Sequence, residues 1–135
     1  MIVTFYSYKG GLGRSMAVAN VAVLLARDGY RVIVVDWDLE APGIHRFFNL
    51  TDQDLAGSEV RGVIEYVVDF RAAFETEPQS DSSILPNLDR YLLPSKSVDL
   101  SLPEKTLRFM PAGRQDETYA NRISSFDWGH GLKVG

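Results

Sequence analysis

Residues 9 to 15 read Lys9-Gly10-Gly11-Leu12-Gly13-Arg14-Ser15, directly after an apolar run and directly before a stretch with helical spacing. Three glycines in four positions let backbone N–H groups turn inward and approach an anion closely. A helix that begins here aims its positive dipole end at the same point. Lys9 and Arg14 add cationic side chains, and Ser15 adds a hydroxyl. The chemistry such a loop could do is to hold a phosphate group. The plain alternative is a Gly-rich turn joining a strand to a helix in some other α/β fold.

A second cluster follows in Val34-Val35-Asp36-Trp37-Asp38-Leu39-Glu40-Ala41-Pro42-Gly43. Asp36 stands at the carboxyl end of an apolar strand, where α/β sheets carry their ligand sites. Asp38 stands two residues on, so two carboxylates share that end of the strand. The alternative is a helix cap and a solvated acid. Glu40 reads as a solvated or ion-paired residue, and Pro42-Gly43 as a hinge or a simple turn. Asn20 lies near the apolar side of the first helix, where it either hydrogen-bonds the acidic segment from below or makes an ordinary helix–sheet contact. His45 and His130 are far apart, and the chain has no cysteine to join them. No zinc site is expected from that set. Phe47, Phe48, Phe70, Phe74 and Phe109 read as core or helix-face residues.

These groups need elements to position them. Ile2-Val3-Thr4-Phe5-Tyr6 is β-branched and aromatic and predicts a buried strand. Arg14 to Arg27 predicts a helix whose stripe of Ala17, Val18, Val21, Ala22, Leu24 and Leu25 packs on a sheet. Gly29 is the expected left-handed residue past its end. Arg31 to Asp36 is apolar without alternation, which predicts a strand of a parallel sheet, buried on both faces. Strand, helix and strand form one right-handed βαβ unit. Residues 43–49 read as a short helix, 51–60 as a polar connection and 61–75 as a helix from the recurrence of Val63, Ile64, Tyr66, Val67, Phe70 and Phe74. The stretch 75–86 is an exposed loop. Residues 90–94 and 106–110 are short strand candidates, 117–126 a final helix, and the tail from 128 has no clear pattern.

The bulk numbers fit one domain of 135 residues with 45% hydrophobic and 24% charged content. No apolar stretch approaches the ~18 residues a membrane helix needs. No signal peptide is visible, because Met1 starts inside the first strand candidate. The lack of cysteine excludes disulfides and fits a cytoplasmic protein. Net charge is −4, and residues 51–135 hold nine basic against fourteen acidic residues. No basic stripe for a nucleic-acid backbone exists, so no direct nucleic-acid partner is expected from this chain alone.

Lys9-Gly10-Gly11-x-Gly13-Arg14-Ser15 resembles the deviant Walker A loop of the ParA/MinD-type ATPases, closest to a subgroup with Arg in the loop. Asn20-Val21-Ala22-Val23-Leu24-Leu25 and the segment Val34 to Gly43 extend the resemblance, which covers about residues 1–48. The common pattern Gly-x4-Gly-Lys-Ser/Thr is departed from twice, with Tyr8 at the first Gly position and Arg14 at the Lys position. The resemblance implies an α/β, P-loop NTPase-like fold with a doubly wound, mostly parallel sheet. It implies ATP and Mg²⁺ as cofactors. Lys9, Gly10, Gly11, Leu12, Gly13, Arg14, Ser15 and Met16 would bind the nucleotide, the backbone N–H groups from Gly10 to Arg14 cradling the β-phosphate. Ser15 and Asp36 would hold Mg²⁺, Asp36 through a bound water. Asp38 would position the attacking water. Lys9 would reach the partner's phosphates across an ATP-dependent homodimer, as a charge-stabilising finger; the bland alternative is a solvated loop lysine.

A hydrolysing P-loop ATPase also needs a Walker B strand ending in an Asp. Tyr66-Val67-Val68-Asp69 has the letters but sits in helical spacing, Ser97-Val98-Asp99 is too short, and the strand at 106–110 ends in Pro-Ala-Gly. By resemblance the Walker B strand would follow residue 135. The expectation is therefore residues 1–135 as a single, truncated nucleotide-binding domain, an incomplete domain at the front of an ATPase. The leading reading is an ATP-binding module of this class that acts as an ATP-dependent dimer switch, an ATPase if a Walker B acid is supplied. The rivals are a non-hydrolysing regulatory or interaction module and a domain that binds a simple anion. An iron–sulfur activity of the nitrogenase iron-protein type is excluded by the missing cysteines. The sequence does not choose among partition, septum positioning, signalling and defence, and it names no protein partner.

Overall fold

The computed structural model describes residues 1–6, 13–76, 85–94 and 106–125. The expectations for Lys9, Gly10, Gly11 and Leu12, for most of the loop at 75–86 and for the tail, His130 included, lie outside them.

Helix α1 runs from Arg14 to Arg27, as its spacing predicts, and Gly29 follows at φ 89°, the left-handed turn. The buried stripe differs from the expected one. Ala19, Ala22 and Ala26 face the core with Val18 and Val23 beside them, whereas Ala17, Val21 and Leu24 are exposed. Small residues at i, i+3 and i+7 let the helix approach the sheet closely, so alanine position outweighs side-chain size here. Asn20 is exposed, which goes against the alternative of an ordinary helix–sheet contact.

Strand β1 spans Val32–Val35. It pairs in parallel with β3, Leu107–Met110, in the register Val32 with Leu107 through Val35 with Met110. Strand β2, only Leu93–Pro94, adds an antiparallel edge, giving the order β1-β3-β2. Three-ten turns cover Ile44–Phe48 and Leu88–Tyr91, and helices α2 (Asp52–Ala56), α3 (Val63–Thr76) and α4 (Tyr119–Ser125) complete the chain. The result is an α/β arrangement with a small, mostly parallel sheet.

Successive strand residues point to opposite faces, and the core divides accordingly. Phe109 joins Val34, Leu107, Phe48 and the α1 alanines on one side. Its neighbour Met110 joins Val63 of α3 and Tyr91 on the other. Phe48 and Phe109 stack at 5.8 Å. Phe47 and Phe74 are exposed, contrary to a core role, while Phe70 and Phe74 stack along α3 at 6.2 Å.

Three further expectations are corrected. Ile2 to Tyr6 form no strand, and Met1, Ile2, Val3 and Tyr6 are exposed. A strand exists only where a neighbour takes its N–H and C=O groups, and no described strand pairs with this segment. β1 is not buried on both faces, since Ile33 and Val35 are exposed at 38% and 43%. The connection at 51–60 contains α2, set up by a capping box in which Thr51 and Asp54 bond reciprocally.

Close backbone contact joins α3 to the end of β3. Val63 and Ile64 donate N–H bonds to the Pro111 and Ala112 carbonyls at 2.9 and 3.1 Å, so helix-start donors that lack a partner within the helix are satisfied. Gly62 permits this approach. A Cβ there would lie 2.2 Å from the Pro111 carbonyl oxygen.

Candidate functional site

The start of α1 and the carboxyl end of β1 meet. Gly13 caps α1 in the left-handed conformation, φ 70°, and has no side chain of its own to bond the helix end. A residue with a Cβ is strained at that angle. The first helical bond runs from Ala17 N–H to the Gly13 carbonyl at 2.9 Å, so the N–H groups of residues 14 to 16 point out of the helix end. Ser15 is partly buried in this first turn, and Met16 is exposed.

Asp36 follows β1 directly. Its N–H still belongs to the sheet, donating to the Met110 carbonyl at 2.9 Å. Its side chain is buried and organises the acidic segment around itself. Asp38 N–H donates to Oδ1 at 3.1 Å and Gly43 N–H to Oδ2 at 3.2 Å. Burial pushes the Asp36 carboxyl above its ordinary pKa, against the opposing pull of backbone N–H groups from Asp38, Gly43 and Ile44. A carboxylate offers about four acceptor positions, so these backbone bonds leave room for a cation-bound water. A cation at that spot would also offset the cost of burying the charge. On both counts the residues fit a Mg²⁺ site.

Asp38 spans the gap to α1. Its Oδ2 accepts from the Arg14 guanidinium at 3.0 Å, and its Oδ1 accepts from Ala41 N–H at 3.2 Å. Both members of the ion pair are about one-third to two-fifths exposed. Thus the structure brings Gly13, Arg14, Ser15 and Asp38 to one end of the sheet with Asp36. Glu40 and Pro42-Gly43 lie in the same segment, and Gly43 serves as a donor to Asp36.

Other titratable groups sit elsewhere. His45 is fully buried, with Nε2 2.9 Å from an Asp52 carboxylate oxygen. Asp69, the acid of the rejected Walker B candidate, is on α3 and accepts from Arg61 and Tyr91. Among the described residues, no group of three or more His, Cys, Asp or Glu could hold a metal ion by itself. No described helix is long and apolar enough to cross a membrane.

Two contacts escaped sequence reasoning. The Arg14–Asp38 pair joins residues 24 apart, although both were candidates separately. Tyr119 of α4 donates its hydroxyl to the Leu39 carbonyl at 2.9 Å, across 80 residues. No local pattern signals a bond of that span.

Comparison with known proteins identifies the family. A family model described as ParA, NUBPL iron-transfer P-loop NTPase, matches residues 1–105. The cytosolic Fe-S cluster assembly factor CFD1 of Yarrowia lipolytica is 40% identical over 65 residues, covering 48% of this chain and 22% of that protein. An uncharacterized ATP-binding protein of Methanocaldococcus jannaschii is 29% identical over 101 residues, 65% of this chain and 38% of its own length. The septum site-determining protein MinD of Helicobacter pylori is 46% identical over 39 residues, 29% of this chain and 15% of its own. The chain thus spans well under half the length of these relatives. No solved structure gives a significant match. With most of its length matched to the family model, the chain belongs to the ParA family of P-loop NTPases.

Proposed function

We propose that the chain carries the phosphate and Mg²⁺ end of an ATP site, in a protein that uses ATP to switch between separate and dimeric states. The observation that supports this reading best is the meeting of the α1 start with the acidic segment, bridged by Arg14 and Asp38 at 3.0 Å. A helix N-terminus and a fixed guanidinium suit phosphate oxygens. In this reading the N–H groups of Gly10 to Arg14 hold the β-phosphate, with Met16 beside them. Ser15 ligates Mg²⁺ and Asp36 holds a water on it. When bound, Mg²⁺ supplies positive charge against the phosphate oxygens. Asp38, released from Arg14, orients a water toward the terminal phosphate. Lys9 reaches the partner's phosphates in the dimer. A cytoplasmic setting goes with this reading, supported by relatives named as cytosolic assembly factors.

A second reading, nucleotide binding without turnover, is favoured by one observation. The Walker B candidate acid, Asp69, lies on a helix and is engaged by Arg61 and Tyr91, so it is not offered to a metal at the sheet end. The iron–sulfur role in several relatives' names is not extended to these residues. They contain no cysteine to ligate a cluster.

The test is ATP binding with and without Mg²⁺ in the wild type and in Ser15→Ala. Binding that strengthens with Mg²⁺ in the wild type, and loses that gain in the variant, is the expected result. An identical Mg²⁺ gain in both removes Ser15 from the metal site.

A further inference from the structure

The acidic segment 36–43 leaves the sheet at Asp36, whose N–H donates to the Met110 carbonyl, and side chains hold it beyond that point. Asp36 gathers it from within, through the Asp38 and Gly43 N–H groups. Arg14 holds Asp38. Tyr119 holds the Leu39 carbonyl. Tyr119 is itself well supported. The Arg122 guanidinium lies 5.8 Å over its ring, and Arg122 pairs with Glu65 of α3 and with Asp116. Glu65 in turn accepts from Gly62 and Arg114 N–H at 2.8 and 3.2 Å. The hydroxyl is therefore presented by α3, α4 and the segment after β3, which carry none of the residues assigned to nucleotide. Burial, with the Asp36 carboxylate nearby, pushes the Tyr119 phenol up to about 12, so it stays a donor at neutral pH.

We infer that Tyr119 is the positioning residue of the acidic segment: its hydroxyl, on the Leu39 carbonyl, keeps Asp38 at the phosphate end of the site when Arg14 turns to a phosphate. The inference rests on the nucleotide reading above. A phosphate at the α1 start competes with Asp38 for the same guanidinium. The Arg14 contact is thus the one a ligand breaks. A backbone carbonyl held by a phenol meets no such competition. With Arg14 withdrawn, the Tyr119 hydroxyl remains as the side-chain hydrogen bond that ties Leu39 to another element, beside the packing of Leu39 on the Val63, Tyr91 and Met110 cluster and the Asp36 N–H bond to the Met110 carbonyl.

Trp37 gives a built-in reporter. It lies between the two acids and is 65% exposed. The other tryptophan, Trp128, is removed by Trp128→Phe, and Tyr119→Phe is compared on that background. This variant keeps the ring under Arg122 and deletes only the hydroxyl. Without nucleotide, the expected result is an unchanged far-UV spectrum and cooperative melt. Amide exchange at Asp38, Ala41 and Gly43 should rise about fivefold, the loss of one ordinary hydrogen bond, with stronger acrylamide quenching of Trp37. Equal exchange and quenching in both proteins overturn the inference. So does an equal rise in Ser124→Ala, a control elsewhere on α4, since the effect would then belong to the helix and not the hydroxyl. A separate titration with Mg²⁺-ATP follows Trp37. No Trp37 response in the Trp128→Phe protein overturns the nucleotide reading, while the ligand-free comparison still decides the role of Tyr119. A response of equal midpoint and amplitude with and without the hydroxyl overturns the link between Tyr119 and the ligand.

Discussion

Replacing Asp38 by Asn should tighten ATP binding in the absence of Mg²⁺, even though Asp38 is assigned to turnover. In the ligand-free chain the Arg14 guanidinium is committed to Asp38 at 3.0 Å, and a phosphate must displace that carboxylate. Asn keeps an oxygen for Ala41 N–H, so the segment retains its internal bond, but the charge is gone. The pair is substantially exposed, and such pairs contribute ~0.2–1 kcal/mol. Removing the competition therefore lowers the Kd by about 1.4-fold to fivefold. The assay is equilibrium titration with a fluorescent ATP analogue, wild type against variant. It is run at about 0.05 M and about 0.5 M salt, because the difference should shrink as the charges are screened. Any turnover should be lost in the same variant. Weaker binding by the variant at both salt concentrations would refute the reasoning, since Asp38 would then be contributing to affinity and not opposing it.

Lys9→Ala should leave ATP affinity nearly unchanged but abolish ATP-driven dimerisation. Sedimentation velocity checks this, and ATP-dependent dimers in the variant would remove the trans contact. Gly62→Ala should be strongly destabilising, by about 3 kcal/mol or more, because its Cβ would meet backbone at the Pro111 carbonyl and at Gly113; chemical denaturation reads it directly. The raised phenol of Tyr119 sets an alkaline limit. Its neutral form is favoured in the folded chain, so its contribution is intact below the ordinary value of 10 and fades as pH climbs toward about 12. Thermal melts across that window should fall more steeply for the wild type than for Tyr119→Phe.

The legible parts of this molecule were the local ones. The α1 limits, β1, β3 and α3 followed from spacing, and the left-handed Gly29 from its place after a helix. The strings Lys9 to Ser15 and Asp36 to Gly43 are the ones that residue types single out, and the structure sets Arg14 of the first against Asp38 of the second. Burial was less legible. The predicted α1 stripe shares Val18 and Ala22 with the observed one but is rotated from it, since Ala19 and Ala26 are buried where Ala17, Val21 and Leu24 are exposed. Ile2 to Tyr6 have strand-forming residues, yet strand formation depends on a neighbour that local sequence does not specify. The polarity of 51–60 predicts a connection, yet Thr51 and Asp54 three residues apart form the capping box that starts α2 there. Ties such as Arg14 to Asp38 and Tyr119 to Leu39 arise only when distant elements pack, and no periodicity encodes them.

ATP binding at the start of α1 is tested most directly by equilibrium binding of a fluorescent ATP analogue to this 135-residue chain, with and without Mg²⁺, competed in parallel by ATP and by inorganic phosphate. A nucleotide site at the start of α1 requires saturable binding that Mg²⁺ strengthens and that ATP displaces at concentrations where phosphate does not. Absence of binding, or equal displacement by phosphate, would contradict a nucleotide site at the start of α1.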